Sequence, residues 1–199
     1  MTQDDITLLV LAGGQGRRMG GVDKGWSLLL DKPLILHVLS RLEGQTRAVL
    51  INANRSLDAY EQLGYPVITD LEGDFKGPLM GILSGLSAAS TPWVLVVPCD
   101  TPALPQDLVT RMIGGIGDHD IAVAHDGERA HPVIALMRCD LAADLREALA
   151  AGERKIDRWY ARHHWCHVDF SDQPEAFINL NSPEERMNLG QRLERDGST

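Results

Sequence analysis

A nearly unbroken apolar run, Ile6-Thr7-Leu8-Leu9-Val10-Leu11, opens directly onto Leu11-Ala12-Gly13-Gly14-Gln15-Gly16-Arg17-Arg18-Met19-Gly20-Gly21-Val22-Asp23-Lys24-Gly25, which holds six glycines and three cations in 15 residues. A short apolar run bounded by turn formers is a buried strand. Glycines after it make a loop whose backbone approaches something closely. Bare N–H groups beside Arg17, Arg18 and Lys24 make that partner an anion, with phosphate the commonest candidate. One strand and one loop therefore constrain both the architecture and the chemistry.

The rest of the chain repeats the strand theme. Apolar runs at 6–11, 48–51, 66–68, 93–97, 121–125, 133–137 and 166–170 alternate with helical patterns at 33–42, 57–63, 79–89, 106–113, 141–150, 156–162 and 183–192. Strand, helix and strand at this spacing predict βαβ units: an α/β fold with a mostly parallel sheet covered by helices. The runs 121–125 and 133–137, separated by Asp126-Gly127-Glu128, read equally as a hairpin, which makes the sheet mixed. At 199 residues, without an internal repeat or a dividing linker, one domain is expected. Within it, residues 1–105 and 106–195 are expected to form two halves.

Composition narrows the function classes. A formal charge of −9 argues against a protein that coats nucleic acid, because that task neutralises phosphates over a broad face. No apolar run reaches membrane-spanning length, and the acidic start Met1-Thr2-Gln3-Asp4-Asp5 is the opposite of a secretory signal. Cys99, Cys139 and Cys166 are widely spaced and contain no CxxC pair, as expected of a reducing cytoplasm.

Two glycine signatures fail in the opening loop. A dinucleotide fingerprint starting at Gly14 would need glycine where Met19 stands. A P-loop would need Ser or Thr after Lys24, which is followed by Gly25. A nucleotide-type loop of another class remains, in which Gly13 and Gly14 let the backbone touch phosphate or base. Arg17 and Lys24 then offset phosphate charge, Lys24 being suited to charge that develops in a transition state. Asp100 ends the apolar run Trp93-Val94-Leu95-Val96-Val97-Pro98-Cys99, Asp70 follows Val67-Ile68-Thr69, and Asn52 follows Val49-Leu50-Ile51. Polar residues at the carboxyl ends of three strands are placed to line one crevice. Beside a polyphosphate, Asp100 suits Mg²⁺, which prefers one or two carboxylates plus substrate oxygens. Asn52 or Asp70 suits a base or ribose edge, although each residue alone is also an ordinary turn former.

Later signals are sparser. Gly81 and Gly85 read as packing glycines in a helix, and His131-Pro132 either closes over a substrate or is a satisfied core histidine. His163, His164, Cys166 and His167 match no zinc-finger spacing. Trp159, Tyr160 and Trp165 read as packing residues. Ser182-Pro183-Glu184-Glu185 is a capping box with proline at the first helical position. Asn179 and Asn181 straddle Leu180 and, if extended, present two amides to one ligand.

In this order, LAGGQGRRMGGVDKG, INANR, GPLMG, VPCDTP, HPV and NLNSPEE resemble the bacterial molybdenum cofactor guanylyltransferases, of the GT-A-like nucleotidyltransferase group, across nearly the whole chain. The resemblance implies a Rossmann-like three-layer fold and transfer of GMP from GTP to molybdopterin, with Mg²⁺ as the metal. It implies that Leu11, Ala12 and Gly13 contact the guanine nucleotide, with Gly14, Arg17 and Lys24 around its phosphates. Asn52 and Asp70 match nucleotide-contacting positions, Asp100 the Mg²⁺ ligand, and Asn179 and Asn181 the acceptor positions. It also implies a cytoplasmic monomer that touches other molybdenum cofactor biosynthesis proteins transiently. Glycine spacing alone leaves guanine, cytosine and a sugar-phosphate acceptor open, and leaves open a non-catalytic nucleotide binder.

Overall fold

The computed structural model describes residues 1–12, 23–72, 77–180 and 183–195. Nine strands are described: β1 (Ile6–Leu11), β2 (Leu28–Leu29), β3 (Lys32–Pro33), β4 (Ala48–Asn52), β5 (Val67–Ile68), β6 (Trp93–Pro98), β7 (Ile121–His125), β8 (Ala130–Arg138) and β9 (Trp165–Asp169). Seven α-helices accompany them: α1 (Leu34–Arg41), α2 (Leu57–Glu61), α3 (Pro78–Ala88), α4 (Leu108–Ile116), α5 (Ala142–Ala150), α6 (Ile156–Tyr160) and α7 (Pro183–Arg195).

Seven strands form one sheet in the order β5-β4-β1-β6-β8-β7-β9. The pairs β5·β4, β4·β1, β1·β6 and β7·β9 are parallel, whereas β8 runs antiparallel to both β6 and β7. The sheet is therefore mostly parallel and mixed, with β7 and β8 as the hairpin that the Asp126-Gly127-Glu128 spacing allowed. From β1 the chain steps outward to β4 and β5, then returns to β6 on β1's other side. The reversal creates a switch point outside the carboxyl ends of β1 and β6, where open α/β sheets leave a crevice.

Alternation along the central strands builds two core layers. Leu8 and Val10 of β1, with Leu95 and Val97 of β6, pack under Ile35, Val38 and Leu39 of α1 and Val109 and Met112 of α4. Leu9, Val94 and Val96 face the other way, against Ile82, Leu83 and Leu86 of α3, Leu145 and Leu149 of α5 and Trp159 of α6. Strands buried on both faces have no polar alternation, which is why they read as continuous apolar runs. The close fit of α3 depends on glycine: a Cβ on Gly85 would stand 2.1 Å from Leu9 Cδ2.

Three local features depart from the sequence reading. The small antiparallel β2–β3 hairpin turns through Leu30 and Asp31, both with positive φ (50° and 60°). Its turn lacks the Asn-Gly or Asp-Gly pair that marks such hairpins. Trp165 is more than one-third exposed, whereas Trp159 and Tyr160 are buried as expected of packing residues. Finally, β8 begins at Ala130 and carries a bulge. Val123 pairs with Ala135 but the next residue, Ala124, pairs with His131, so Pro132, Val133 and Ile134 stand opposite one step of β7. Pairing of β8 with β6 also stops at Val96 and Ala135, and Tyr160 Oη donates to the Pro132 carbonyl at 2.7 Å. A bulge of this kind bends the strand and opens the sheet beside the crevice.

Candidate functional site

Four parallel strands end side by side at the switch point, and the polar residues picked from the sequence lie there. Ala12 N donates to Asn52 O (2.8 Å) and Cys99 N to Leu11 O (3.0 Å), so the ends of β4, β1 and β6 remain in register up to the crevice. Leu11 is half-buried and Ala12 buried at its floor. Of the expected site residues, Gly13, Gly14, Arg17 and Asn181 lie outside the described residues, as does Ser182 of the expected capping box.

Beyond β4, Asn52 and Asp70 form one unit rather than two separate turn residues. Asn52 Nδ2 donates to Asp70 Oδ1 at 3.0 Å, and Asn54 Nδ2 to Asp70 Oδ2 at 2.9 Å. Asn54 Oδ1 in turn accepts from the Asp70 backbone N–H at 2.9 Å. Asn54 went unnoticed in the sequence although it stands two residues after Asn52 in INANR. Gly81 presses on the same unit: a Cβ there would lie 2.6 Å from Asn52 Oδ1 and 3.0 Å from Leu11 Cδ2. This glycine, read as a packing residue, leaves room for a polar side chain of the site.

At the switch point itself Lys24 Nζ donates to Asp100 Oδ2, joining the segment after β1 to the end of β6. Both side chains are mostly shielded, at 27% and 13% exposure, so the pair is stronger than a surface ion pair. Lys24 is held at its base by a short 3₁₀ turn, Lys24–Trp26, whose cap Asp23 accepts from Gly25 N at 3.2 Å. Tyr60 of α2 donates its hydroxyl to the same Asp23 oxygen at 2.6 Å, and its ring packs on Trp26 at 5.2 Å. Burial and the Asp23 hydrogen bond push the Tyr60 phenol far above its ordinary range, so it remains a donor. Tyr60 is a supporting residue that the sequence reading missed, because the contact spans 37 residues.

Across the crevice Thr101 Oγ1 donates to Asn179 Oδ1 at 2.6 Å, and Leu180 N to Asp100 O at 3.0 Å. The segment before α7 is thereby held against the end of β6, and Asn179 comes to the same opening as Asp100. Leu180 anchors it below, in a small core with Leu29, Leu34 and Leu189.

Burial disfavours the thiolate form of all three cysteines. Burial pushes the Cys99 thiol far above its usual value, and the adjacent Asp100 adds to the effect; Cys139 rises to about 11 and Cys166 is also raised. Among the described residues, one group of three metal-competent side chains converges, Asp118, His119 and His164. It sits at the amino ends of β7 and β9, on the sheet edge opposite Asp100. The histidines that invited a zinc reading diverge: His163 approaches Asp144 (3.0 Å), while His164 stacks on His119 (4.0 Å) and His167 packs near His125 (4.8 Å). At the crevice Asp100 offers a single carboxylate with one oxygen on Lys24. That donor set does not cage a metal, but it fits Mg²⁺ held mainly by phosphate oxygens and water.

Comparisons with known proteins identify the family and the fold. Residues 8–167 match the model of the MobA-like NTP transferase domain. A molybdenum cofactor guanylyltransferase of Shewanella loihica is 47% identical over 190 residues, covering 94% of this chain and 97% of its own length. Its counterpart from Shewanella pealeana is 45% identical, covering 94% and 95%. Among solved structures, molybdopterin-guanine dinucleotide biosynthesis protein A of Archaeoglobus fulgidus superposes with a TM-score of 0.76 at 22% identity, over 95% of this chain and 99% of that one. A nucleotidyl transferase of Methanothermobacter thermautotrophicus gives 0.72 at 18% identity, over 96% and 98%. At those identities the superpositions establish the fold, a GT-A-like nucleotidyltransferase architecture.

Proposed function

Since the chain belongs to the MobA-like NTP transferase family, among the molybdenum cofactor guanylyltransferases, we propose the residues by which it performs that family's reaction. It is a nucleotidyltransferase, moving GMP from GTP to molybdopterin to form the guanine dinucleotide cofactor. The observation that carries our assignment is the Lys24–Asp100 pair at the switch point, flanked by the Asn52–Asn54–Asp70 unit on one side and Asn179 on the other.

GTP lies over the ends of β4, β1 and β6, with Leu11, Ala12 and Gly13 against the nucleoside and Gly14, Arg17 and Lys24 around the phosphates. Asn52 and Asp70 contact the nucleotide as a rigid amide–carboxylate unit. The acceptor enters beside Asn179 and Asn181. A terminal phosphate oxygen of molybdopterin attacks the α-phosphorus of GTP. The new P–O bond replaces the bond to the bridging oxygen, and pyrophosphate departs with that electron pair. The nucleophile is already ionised, its second pKa lying near 6, so no general base is needed.

Asp100 would hold Mg²⁺, which supplies charge neutralisation across the phosphates. Lys24 and Arg17 offset charge that grows on the α-phosphoryl oxygens and on the leaving pyrophosphate, and Asn179 fixes the acceptor for in-line approach. In this reading residues 1–105 are mainly the nucleotide-binding half and 106–195 mainly the acceptor-binding half. We place the reaction in the cytoplasm, carried out by a monomer in transient contact with other cofactor-biosynthesis proteins. Among the described residues no helix is long and apolar enough to cross a membrane.

The direct test is competition of GTP with CTP in a molybdopterin-dependent assay that follows pyrophosphate. GTP should dominate, and release should require the acceptor. Equal use of CTP, or GTP binding without release, would refute the assignment. Gly81→Ala probes the nucleotide side: its methyl group collides with Asn52 Oδ1, so GTP affinity should fall while overpacking costs about 1–3 kcal/mol of stability. A protein destabilised to that extent with unchanged GTP affinity would remove Asn52 from the nucleotide site.

A further inference from the structure

Beside Asp100 the bulge of β8 opens a cavity of about 340 Å³, lined among others by Pro98, Asp100, Arg129, His131, Val133 and Asn179. It exists because Pro132, Val133 and Ile134 leave the ladder with β7 just where pairing with β6 also ends. One end of this cavity carries a carboxylate, which repels a phosphate monoester bearing about −1.5 to −2 charge at neutral pH. A cation within the cavity, in addition to Lys24, favours an anionic acceptor there. Among the described lining residues, Arg129 is the one with a guanidinium or ammonium group.

Arg129 is fixed at its base and mostly exposed at its tip, where its Nε pairs loosely with Asp126. Its backbone N–H donates to Asp126 Oδ1 at 2.8 Å, and the Glu128 N–H reaches the same oxygen at 2.9 Å. The other Asp126 oxygen accepts from His131 Nε2 at 2.6 Å, with both side chains about nine-tenths buried. The His131 ring stacks on Phe177 at 4.9 Å, in the turn that leads to Asn179. A buried carboxylate–imidazole pair thus ties three things together: the turn carrying Arg129, the bulged strand and the segment carrying Asn179. Burial opposes charge on Asp126, but hydrogen bonds from the Arg129 and Glu128 N–H groups and from His131 hold its carboxyl well below the usual range. The Arg129 side chain is 70% exposed, and its Nε stands 3.8 Å from Asp126 Oδ2, beyond hydrogen-bond length. A guanidinium fork on an anchored backbone is suited to bidentate phosphate binding at small ordering cost.

We propose that Arg129 binds the phosphate of the incoming molybdopterin in the bulge cavity, with Asp126 and His131 as its positioning residues. This rests on the reading of the chain as a transferase to molybdopterin. Steady-state transfer with molybdopterin varied at saturating GTP and Mg²⁺, together with equilibrium GTP binding, tests it. Arg129→Ala should raise KM for molybdopterin about tenfold or more, as expected for losing a charge-assisted contact, with a smaller change in kcat and unaltered GTP affinity. Arg129→Lys should recover part of the loss. Asp126→Asn, which retains an acceptor for the two backbone N–H groups, should raise the same KM less than Arg129→Ala does. An unchanged KM in Arg129→Ala overturns the proposal, as does a loss of GTP affinity, which would move Arg129 to the donor side. If the wild-type chain transfers no GMP, the functional reading falls first. If it transfers normally and Arg129→Ala matches it, only this inference falls.

Discussion

Lys24→Ala and Asp100→Ala should each lose GMP transfer while the fold survives. For Lys24→Ala we expect kcat to fall about 10²–10³-fold, the cost of removing one preorganised stabiliser of developing charge. Asp100→Ala should lose at least as much, because it removes the carboxylate that we propose for Mg²⁺ and the one bonded to Lys24. Both side chains lie at the crevice, outside the two apolar layers, so truncation leaves no core cavity. The pair could instead be a structural tie between the segment after β1 and the end of β6. The two roles separate on one comparison: a structural tie predicts a lower Tm for each single mutant and activity restored when both residues become apolar together. A catalytic pair predicts a Tm change too small to unfold the chain and an inactive double mutant. Near-normal transfer by either single mutant would remove both residues from the reaction.

The second large effect is on stability, at Asp126. Asp126→Ala removes the acceptor of two backbone N–H groups and of His131 in a site about nine-tenths buried. Leaving a buried donor without its acceptor costs about 1–3 kcal/mol, and with three donors stranded Tm should fall by roughly 10 °C for a chain of this size. Asp126→Asn should cost clearly less, since an amide oxygen still accepts from Glu128 N and Arg129 N. The pH dependence has a defined sign. The folded-state carboxyl is held below its usual value of 3.8, so its contribution is complete above that value and fades as pH falls through the depressed one. Denaturant unfolding at pH 7 and pH 5 should therefore show the full difference between wild type and Asp126→Ala, narrowing only in stronger acid. Equal stability of the two proteins at pH 7 would contradict the clasp.

Much of the architecture was legible because the relevant physics is local. Burial on both faces makes β1, β4 and β6 continuous apolar runs, and a carboxylate or amide directly after such a run stands at the sheet's edge wherever the strand goes. Asn52, Asp70 and Asp100 could be picked out on that ground. The β2–β3 hairpin escaped because Leu30 and Asp31 adopt positive φ without the usual turn residues. The bulge of β8 escaped for a different reason: Pro132-Val133-Ile134 is an ordinary apolar stretch, and only its pairing with β7 and β6 shows three residues out of register. Tyr60 beneath Asp23, and Phe177 against His131, are contacts between residues 37 and 46 positions apart in the chain.

By itself the sequence determined the alternation of buried strands and helices, the glycine-rich, cationic segment after the first strand, and the motif order that marks the family. These depend on side-chain type and spacing along a few residues, which hydrophobic burial and glycine's conformational freedom read directly. The tertiary structure alone decided which strand ends stand side by side. The return of the chain from β5 across β1 to β6 brings Lys24 against Asp100, and Asn52 and Asn54 onto Asp70. The bulge places Arg129 and the Asp126–His131 pair beside Asn179. Such juxtapositions arise from long-range pairing and register, which no local pattern encodes, and the acceptor side that we propose is built mostly from them.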